Sequence, residues 1–557
     1  MKYVIIGGVA GGASAAARLK RINEDAEIVI FEKGEYISYA NCGLPYYLGN
    51  TITNRNNLFV QTPTSFGNRY YVDVCTLNEV TAINRDKKTV TVKNLRNGKE
   101  FEEAYDMLLL SPGAEPIIPN VPGIDLPNIF TLRNVADCDR IKMEAVDKMT
   151  ENASAVIIGG GFIGLEMAEN LHKIGYKITV VEKADHLLTP LDKSMAAIVE
   201  QHLRDMGVDV ITRNGLAAFQ DNNGQLGVVL EDNTLLNCDM ALLSIGVKPN
   251  TRLAAECGLT IGEANGIVVN EYMQTSDECI FAVGDAIEYP HPITGQPYCN
   301  FLAGPANQQA RIAATNMAYP ESMSYQGSIA TAVAKIFDLT AASTGLSEQA
   351  LQKAGIDYQT VIIHPAAHAS YFPGGDPIDL QLNFCPETGR IWGAQVVGTT
   401  GVDKQIDTIA MLIKHQGTIF DLVHSEHAYA PPYNSAKSPV QYAGMVAEDV
   451  FAHLVNPINS DELDALIDNP DDINIIDIRD IHEFQAGTIE GAENYPLDEI
   501  REMLEDIPAD KKTIVFCEYG LRGYVAARIL MQSGFEEVYN LNGGIRTYRL
   551  IGRHYSE

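Results

Sequence analysis

Apolar and polar positions follow two regimes along this chain. Short unbroken apolar runs bounded by glycine or charge, as in KYVIIGG, EIVIFEK, SAVIIGG and KITVVEK, predict strands buried on both faces. The stretches after the first and third of these, ASAAARLKRI and GLEMAENLHKIG, carry the three-to-four-residue apolar spacing of helices. Strand, glycine-rich turn, helix and strand therefore occur in that order twice, a pattern that packs helices on a parallel sheet. YDMLLLSPGAEP and CIFAVGDAIE read as strands returning to the first unit, so the second unit becomes an insertion within the first domain. From about residue 325 the pattern becomes β-rich (QTVIIHPA, IDLQLNF, IWGAQVVG) and is followed by the helical stretch IDTIAMLIKHQG, which predicts an α+β domain. After FAHLVNPINSDELDALI, strand and helix alternate again through NIIDIRD, TIVFCEYGLRGYVAARILMQSG and EVYNLNGGI, the pattern of a separate small α/β domain with a linker near 448–460.

Composition narrows the function. A chain of 557 residues exceeds what one core supports and predicts about three to five domains. The formal net charge of −31, with no basic block, repels polyanions and argues against a nucleic-acid partner. No apolar run reaches the ~18 residues of a membrane span, so no membrane partner is expected. The opening MKYVIIGGVAGGASAAARL has glycines at phosphate-loop spacing and reads as strand and helix rather than a leader, which gives the expectation of a cytoplasmic protein. Nine cysteines lack the spacing of a metal site or a disulfide scaffold. No metal is expected, and Cys75, Cys138, Cys238, Cys257, Cys279, Cys299 and Cys385 read as small core residues.

The chemistry begins at the two glycine-rich turns. In GGVAGG the outer fingerprint glycines are Gly7 and Gly12, with Val9 in the middle place, and Glu32 ends the next strand at the ~20-residue distance where an acid accepts ribose hydroxyls. The second fingerprint is complete at Gly159, Gly161 and Gly164, with Phe162 and Ile163 opening its helix, Glu182 closing its second strand and Gly246 in a returning loop. A carboxylate at 182 accepts from a 2′-hydroxyl and repels a 2′-phosphate, so NADH is the expected hydride donor, with NADPH kept open by Lys183.

These fingerprints resemble the pyridine nucleotide-disulfide oxidoreductases. The resemblance implies an α/β fold with two Rossmann-like dinucleotide-binding domains, a FAD domain at 1–111 and 245–322 and an NAD(H) domain at 112–244, followed by an α+β dimerisation domain at 325–448. It implies FAD contacts from Gly7, Gly12, Glu32, Lys33, Ser111, Gly113, Arg133, Asp285 and Ala303, and assembly as a homodimer. The cysteine pattern selects the branch. SYANCGLPY holds Cys42 with no second cysteine in the next five residues, so Cys42 must pair with an external thiol or cycle through a sulfenic acid. Peroxidase-type relatives carry a histidine in the first glycine loop, where this chain has Ala10.

The chain further resembles coenzyme A-disulfide reductases through SxxNCGLPY, YFPG at Tyr371 and YAPPYNSAKSP at Tyr429 and Lys437. That branch usually has two tyrosines where this chain has Tyr371 and Phe372. The likeness implies Tyr371 and Tyr429 as proton donors or sulfur-positioning groups reaching the other subunit's site. It implies coenzyme A contacts from Ser14, Arg18, Arg21, Ser38, Asn41, Cys42 and Lys437. Residues 460–557 resemble a rhodanese sulfurtransferase through CEYGLRG, with Cys517 as sulfur carrier, Arg522 in its anion cradle, and Gly523 where a serine or threonine is usual. The expected activity is NADH-dependent reduction of coenzyme A persulfide or polysulfide, and more weakly of coenzyme A disulfide, through Cys42. Hydrogen sulfide would be released, with low-molecular-weight persulfides as partners and Cys517 as relay. The alternatives are an NADH oxidase or peroxidase cycling Cys42 through sulfenic acid, and a redox or sulfur sensor module.

Overall fold

The computed structural model describes residues 1–222, 224–468 and 473–556, so residues 469–472 and Glu557 of the expected C-terminal domain lie outside it. The described residues fall into two compact units, 1–183 with 208–330, and 184–207 with 331–557.

The first unit contains two five-stranded parallel sheets. In one, Lys2–Ile6 lies between Glu27–Glu32 and Met107–Leu110, with Asp73–Thr76 and Ile280–Ala282 at the edges. In the other, Ser154–Ile158 lies between Lys177–Val181 and Met240–Leu243, with Asp209–Ile211 and Ile129–Thr131 outside. The apolar runs read as doubly buried strands are that: Val4, Ile5, Ile30, Leu108 and Leu109 are all within 0–1% exposure. An antiparallel pairing of Ala114–Pro116 with Val247–Pro249 joins the two chain crossings at the ends of the inserted segment.

The second unit is built on an antiparallel sheet ordered Ala332–Ile336, Leu339–Gly345, Ile391–Gly398, Asp379–Phe384, Gln359–Ile363. Three of its strands were legible; the first two were not singled out. The C-terminal sheet is parallel, ordered Asn456–Ile458, Val538–Leu541, Lys512–Phe516, Ile473–Asp477, Glu493–Asn494.

Two boundary expectations change. Residues 184–207 group with the second unit rather than with the rest of 112–244. The cause is Asp192: buried at 8% exposure, it accepts from Gln381 Nε2 at 2.8 Å, Gln395 Nε2, and the Glu348 N–H at 3.0 Å, which ties helix Lys193–Asp205 to the antiparallel sheet. The linker is also shorter than 448–460, because helix Pro439–Phe451 runs past 448 and Asn456–Ile458 is already an edge strand of the C-terminal sheet.

Within the second unit the C-terminal domain docks on the antiparallel sheet of its own chain. Asn542 bridges it, accepting from the Ile362 N–H at 2.7 Å and donating to the Thr360 carbonyl at 3.0 Å. Arg546 donates to both oxygens of buried Asp379, at 3.0 and 3.2 Å, and His364 bonds both Asp379 and the Gly543 carbonyl. Among the described residues no helix is long and apolar enough to cross a membrane, and no group of three or more acidic, histidine or cysteine side chains forms a metal cage.

Candidate functional site

The first glycine loop is fixed by close backbone approach. Gly7 adopts φ +96°, and a Cβ there would run into the Ser111 carbonyl, while one on Gly12 would strike the Gly7 carbonyl. Val9, in place of the middle glycine, is the residue from which helix Ala10–Ile22 starts. Glu32 reaches back across this turn, accepting from the Gly8 N–H at 2.8 Å and the Gly34 N–H at 2.7 Å; Lys33 beside it is exposed. Gly113 lies against the Arg133 guanidinium, which pairs with Asp285 at 2.9 Å, and Ala303 opens helix Ala303–Ala318 with Ala303 and Gly304 exposed. These residues fit a dinucleotide: a tight turn at a helix start, an acid at the next strand end and an open helix N-terminus.

The second loop repeats the geometry. Gly159, at φ +107°, lies against the Ser244 carbonyl, Gly164 against Gly159, and a Cβ on Gly161 would meet nothing within 4 Å, which leaves backbone open to a phosphate. Phe162 is half-buried, Ile163 and Gly246 are exposed, and Glu182 accepts from the Gly160 N–H at 2.8 Å. Lys183, which kept NADPH open, is paired with Glu231 at 2.8 Å. The residues suit NAD(H).

Cys42 sits in the single turn Asn41–Gly43 that leads into helix Leu44–Leu48. That short helix cannot hold itself and is clamped from outside. Lys142 donates to the Tyr47 carbonyl at 2.6 Å, the Cys138 thiol reaches the Leu44 carbonyl, and Gly49 admits the Asn170 side chain so closely that no Cβ would fit. Cys42 is open to solvent on one side, yet the protein packed around it pushes the thiol up, as do the Glu166 and Asp285 carboxylates, while Arg133 pulls it back. Asn41 Oδ1 is buried without a hydrogen-bond partner.

Glu166 was not singled out from sequence. It lies on helix Phe162–Lys173, two residues after Gly164, and accepts from Tyr46 Oη at 3.4 Å. Burial pushes its carboxyl up to about 7, so it gains its charge near neutral pH. Glu166→Gln removes the carboxylate facing Cys42 above about pH 7. Alkylation of Cys42 in the NADH-reduced protein, read by mass spectrometry of its peptide, is expected to become about threefold faster at neutral pH and to titrate at lower pH. An unchanged profile would show that Glu166 does not govern the thiol.

On helix Ala10–Ile22, Ser14 Oγ bonds Asn307 at 2.5 Å, half-buried Arg18 reaches Thr315 Oγ1 at 3.4 Å, and Arg21 is exposed. Asn307 is a second residue the sequence reading missed. Ser38 follows at φ +45°. In the second unit Tyr371 and Tyr429, far apart in sequence, meet hydroxyl to hydroxyl at 2.7 Å, a bond that pushes the Tyr371 phenol up. Both are exposed, as are Phe372, Tyr433 and Lys437.

Cys517 is buried at 2% exposure, and its sulfur receives the Gly520 N–H at 3.1 Å and the Gly523 N–H at 3.4 Å. Helix Gly544–Ile551 braces the loop, the Ile545 N–H donating to the Cys517 carbonyl at 2.9 Å. Gly523 replaces the usual hydroxyl residue because the Asn540 amide fills the volume of its side chain and donates to the Gly520 carbonyl at 3.1 Å. Arg522 reaches the Cys517 side chain, and its guanidinium also makes two bonds to Glu483, at 2.6 and 2.7 Å, which hold that carboxyl down at about 2. Of the other cysteines, Cys138 and Cys238 are buried and partly buried Cys75 and Cys257 pack against the core of the first sheet, as expected; Cys279, Cys299 and Cys385 are also only partly buried, and Cys279 accepts from Lys88 at 3.1 Å.

Comparison with known proteins agrees with this geometry. Residues 1–318 match the pyridine nucleotide-disulphide oxidoreductase family, residues 331–438 its dimerisation domain and residues 459–550 the rhodanese-like domain. A coenzyme A disulfide reductase of Staphylococcus aureus strain JH9 is 33% identical over 451 residues, 80% of this chain and all of that one. The crystal structure of reduced Bacillus anthracis CoADR-RHD superposes with a TM-score of 0.95 at 44% identity, covering 99% of this chain and 98% of that one. A NAD-dependent persulfide reductase from A. fulgidus does so at 0.91 and 37%, covering 98% and 100%. The chain therefore belongs to the pyridine nucleotide-disulphide oxidoreductases, in the branch of coenzyme A-disulfide and persulfide reductases that carries a C-terminal rhodanese domain.

Proposed function

We propose that this oxidoreductase uses NADH to reduce coenzyme A persulfide, and more slowly coenzyme A disulfide, through Cys42, with Cys517 delivering sulfane sulfur. The observation that carries the reading is a lone thiol, Cys42, presented at a clamped helix start between two dinucleotide loops, in a chain that also holds a sulfur-carrier loop. FAD and NADH, when bound, supply two electrons to the Cys42 sulfur.

This chain's residues do the rest. Gly7, Gly12 and Glu32, with Arg133 and Asp285, would hold the FAD, and Gly159, Gly161 and Glu182 the NADH. Ser14, Arg18, Arg21, Ser38 and Asn41, with Lys437 from the partner chain, offer the cationic and polar contacts that a phosphate-bearing thiol needs in an acidic protein. The Cys42 thiolate attacks the carbon-bound sulfur of the persulfide. A Cys42–coenzyme A disulfide forms, the outer S–S bond breaks, and hydrosulfide leaves. Two electrons then cleave the mixed disulfide, restoring the Cys42 thiolate and releasing coenzyme A thiolate, which takes a proton. In a homodimer the exposed Tyr371 and Tyr429 hydroxyls, bonded to each other, would donate to the departing sulfur at the partner subunit's Cys42. Glu182, and the commitment of Lys183 to Glu231, favour NADH.

Cys517→Ser tests the relay. With coenzyme A and an external persulfide donor, NADH oxidation is expected to fall at least about tenfold, while turnover of preformed coenzyme A persulfide is retained. Equal rates from the external donor in both chains would remove Cys517 from the reaction.

A further inference from the structure

The cation in the Cys517 loop reaches the Cys517 side chain but is charge-balanced by a carboxylate, and the cations around it are paired as well. Arg522 makes its two bonds to Glu483. Arg549 binds both oxygens of Glu518, the residue after Cys517, at 2.8 and 3.0 Å, and buried Arg479 pairs with Asp477 at 2.7 Å. The loop therefore offers a bound sulfur two backbone N–H groups and a neutralised guanidinium rather than a net positive cradle. Its rim is apolar: Ile481, Tyr519 and Leu521 are 47%, 46% and 56% exposed.

We propose that the Glu483–Arg522 pair and this apolar rim set the Cys517 site to take sulfane sulfur from an organic persulfide and to refuse the thiosulfate dianion. The inference rests on the reading that Cys517 carries sulfur. In the accepted reaction the Cys517 thiolate attacks the outer sulfur of R–S–SH. The new bond makes Cys517–S–SH, the old S–S bond breaks, and R–S⁻ leaves with the electron pair. Thiosulfate would undergo the same exchange and expel sulfite, but its two charges would enter beside Glu483 and Glu518, which already balance the charges of Arg522 and Arg549. An organic donor brings at most one charge to the reacting sulfur, and its carbon chain can lie on Ile481, Tyr519 and Leu521. Glu483 acts through Arg522 and is a positioning residue.

Glu483 also closes the start of helix Ile481–Gln485, accepting from the Asp480 N–H at 3.1 Å in a capping box. Glutamine serves that position as well. Glu483→Gln thus removes the charge and keeps the cap.

The test measures thiocyanate formed from cyanide by the full-length chain with thiosulfate or pantetheine persulfide as donor, above the Cys517→Ser background. The wild type is expected to favour pantetheine persulfide in kcat/KM by at least about a hundredfold, and Glu483→Gln to raise the thiosulfate value about tenfold, a gain that shrinks at high salt. A wild type that uses both donors equally, or a Glu483→Gln chain that still transfers from persulfide with its donor ratio unchanged, overturns the proposal. Should Glu483→Gln lose both activities through misfolding, Leu521→Arg on the exposed rim decides by the same ratio. Failure of the wild type to transfer sulfur from either donor would instead refute Cys517 as a carrier.

Discussion

Replacing Cys42 with serine is expected to lower NADH-dependent reduction of coenzyme A disulfide and persulfide at least about a thousandfold while leaving Cys517-dependent sulfur transfer to cyanide intact. Serine is close to cysteine in size, so the clamped helix Leu44–Leu48 should persist, but its hydroxyl cannot form the mixed disulfide that splits the reaction into two easier steps. The two activities draw on separate loops, one braced by Lys142 and Asn170 and the other by Asn540 and helix Gly544–Ile551. NADH oxidation against both sulfur substrates, assayed beside thiocyanate formation, checks this. Loss of both activities would contradict the division of labour.

The largest effect on stability is expected at Asp477. Its side chain is fully buried and accepts from Arg479 through both oxygens, and from Thr488 Oγ1 at 2.9 Å; Arg479 is itself 1% exposed. Asp477→Ala leaves that guanidinium buried with the Gly487 carbonyl at 2.7 Å and Glu518 at 3.4 Å as its remaining partners. Breaking a buried ion pair by removing one partner costs about 3–5 kcal/mol. In a domain of this size that lowers the midpoint of its unfolding by roughly 10 °C or more. Because Lys512–Phe516, the strand ahead of Cys517, pairs with the strand that ends in Asp477, thiocyanate formation should fail at lower temperature than NADH oxidation does. A variant whose sulfur transfer survives to the wild-type temperature would show the pair to be dispensable.

What could be read from sequence was local. Gly7, Gly159 and Cys42 signal through neighbours a few residues away, and buried parallel strands announce themselves as unbroken apolar runs. Contacts between distant segments were hidden. Arg522 was legible as a cradle residue, but not that Glu483, from a different helix, takes up its charge. The Asn540 amide beside Gly523 explains a departure that looked only like a missing hydroxyl. The apolar face of helix Lys193–Asp205 predicts that one side is buried, but nothing in its period says that Asp192 fastens it to a sheet more than a hundred residues later. Asp379 and Arg546, which seat the C-terminal domain, are likewise invisible to any local pattern. Glu166 stood in view two residues beyond the second fingerprint, yet its importance comes from Tyr46 and Cys42 on another segment.

The central claim is that Cys42 turns NADH electrons into sulfide release. Its most direct test is anaerobic NADH oxidation by the purified holoenzyme with coenzyme A persulfide, coenzyme A disulfide and hydrogen peroxide as separate acceptors, with sulfide recorded throughout. Turnover is expected to be fastest with the persulfide, with one sulfide released for each NADH consumed. Preference for peroxide, or NADH consumption with persulfide but no matching sulfide, would contradict it.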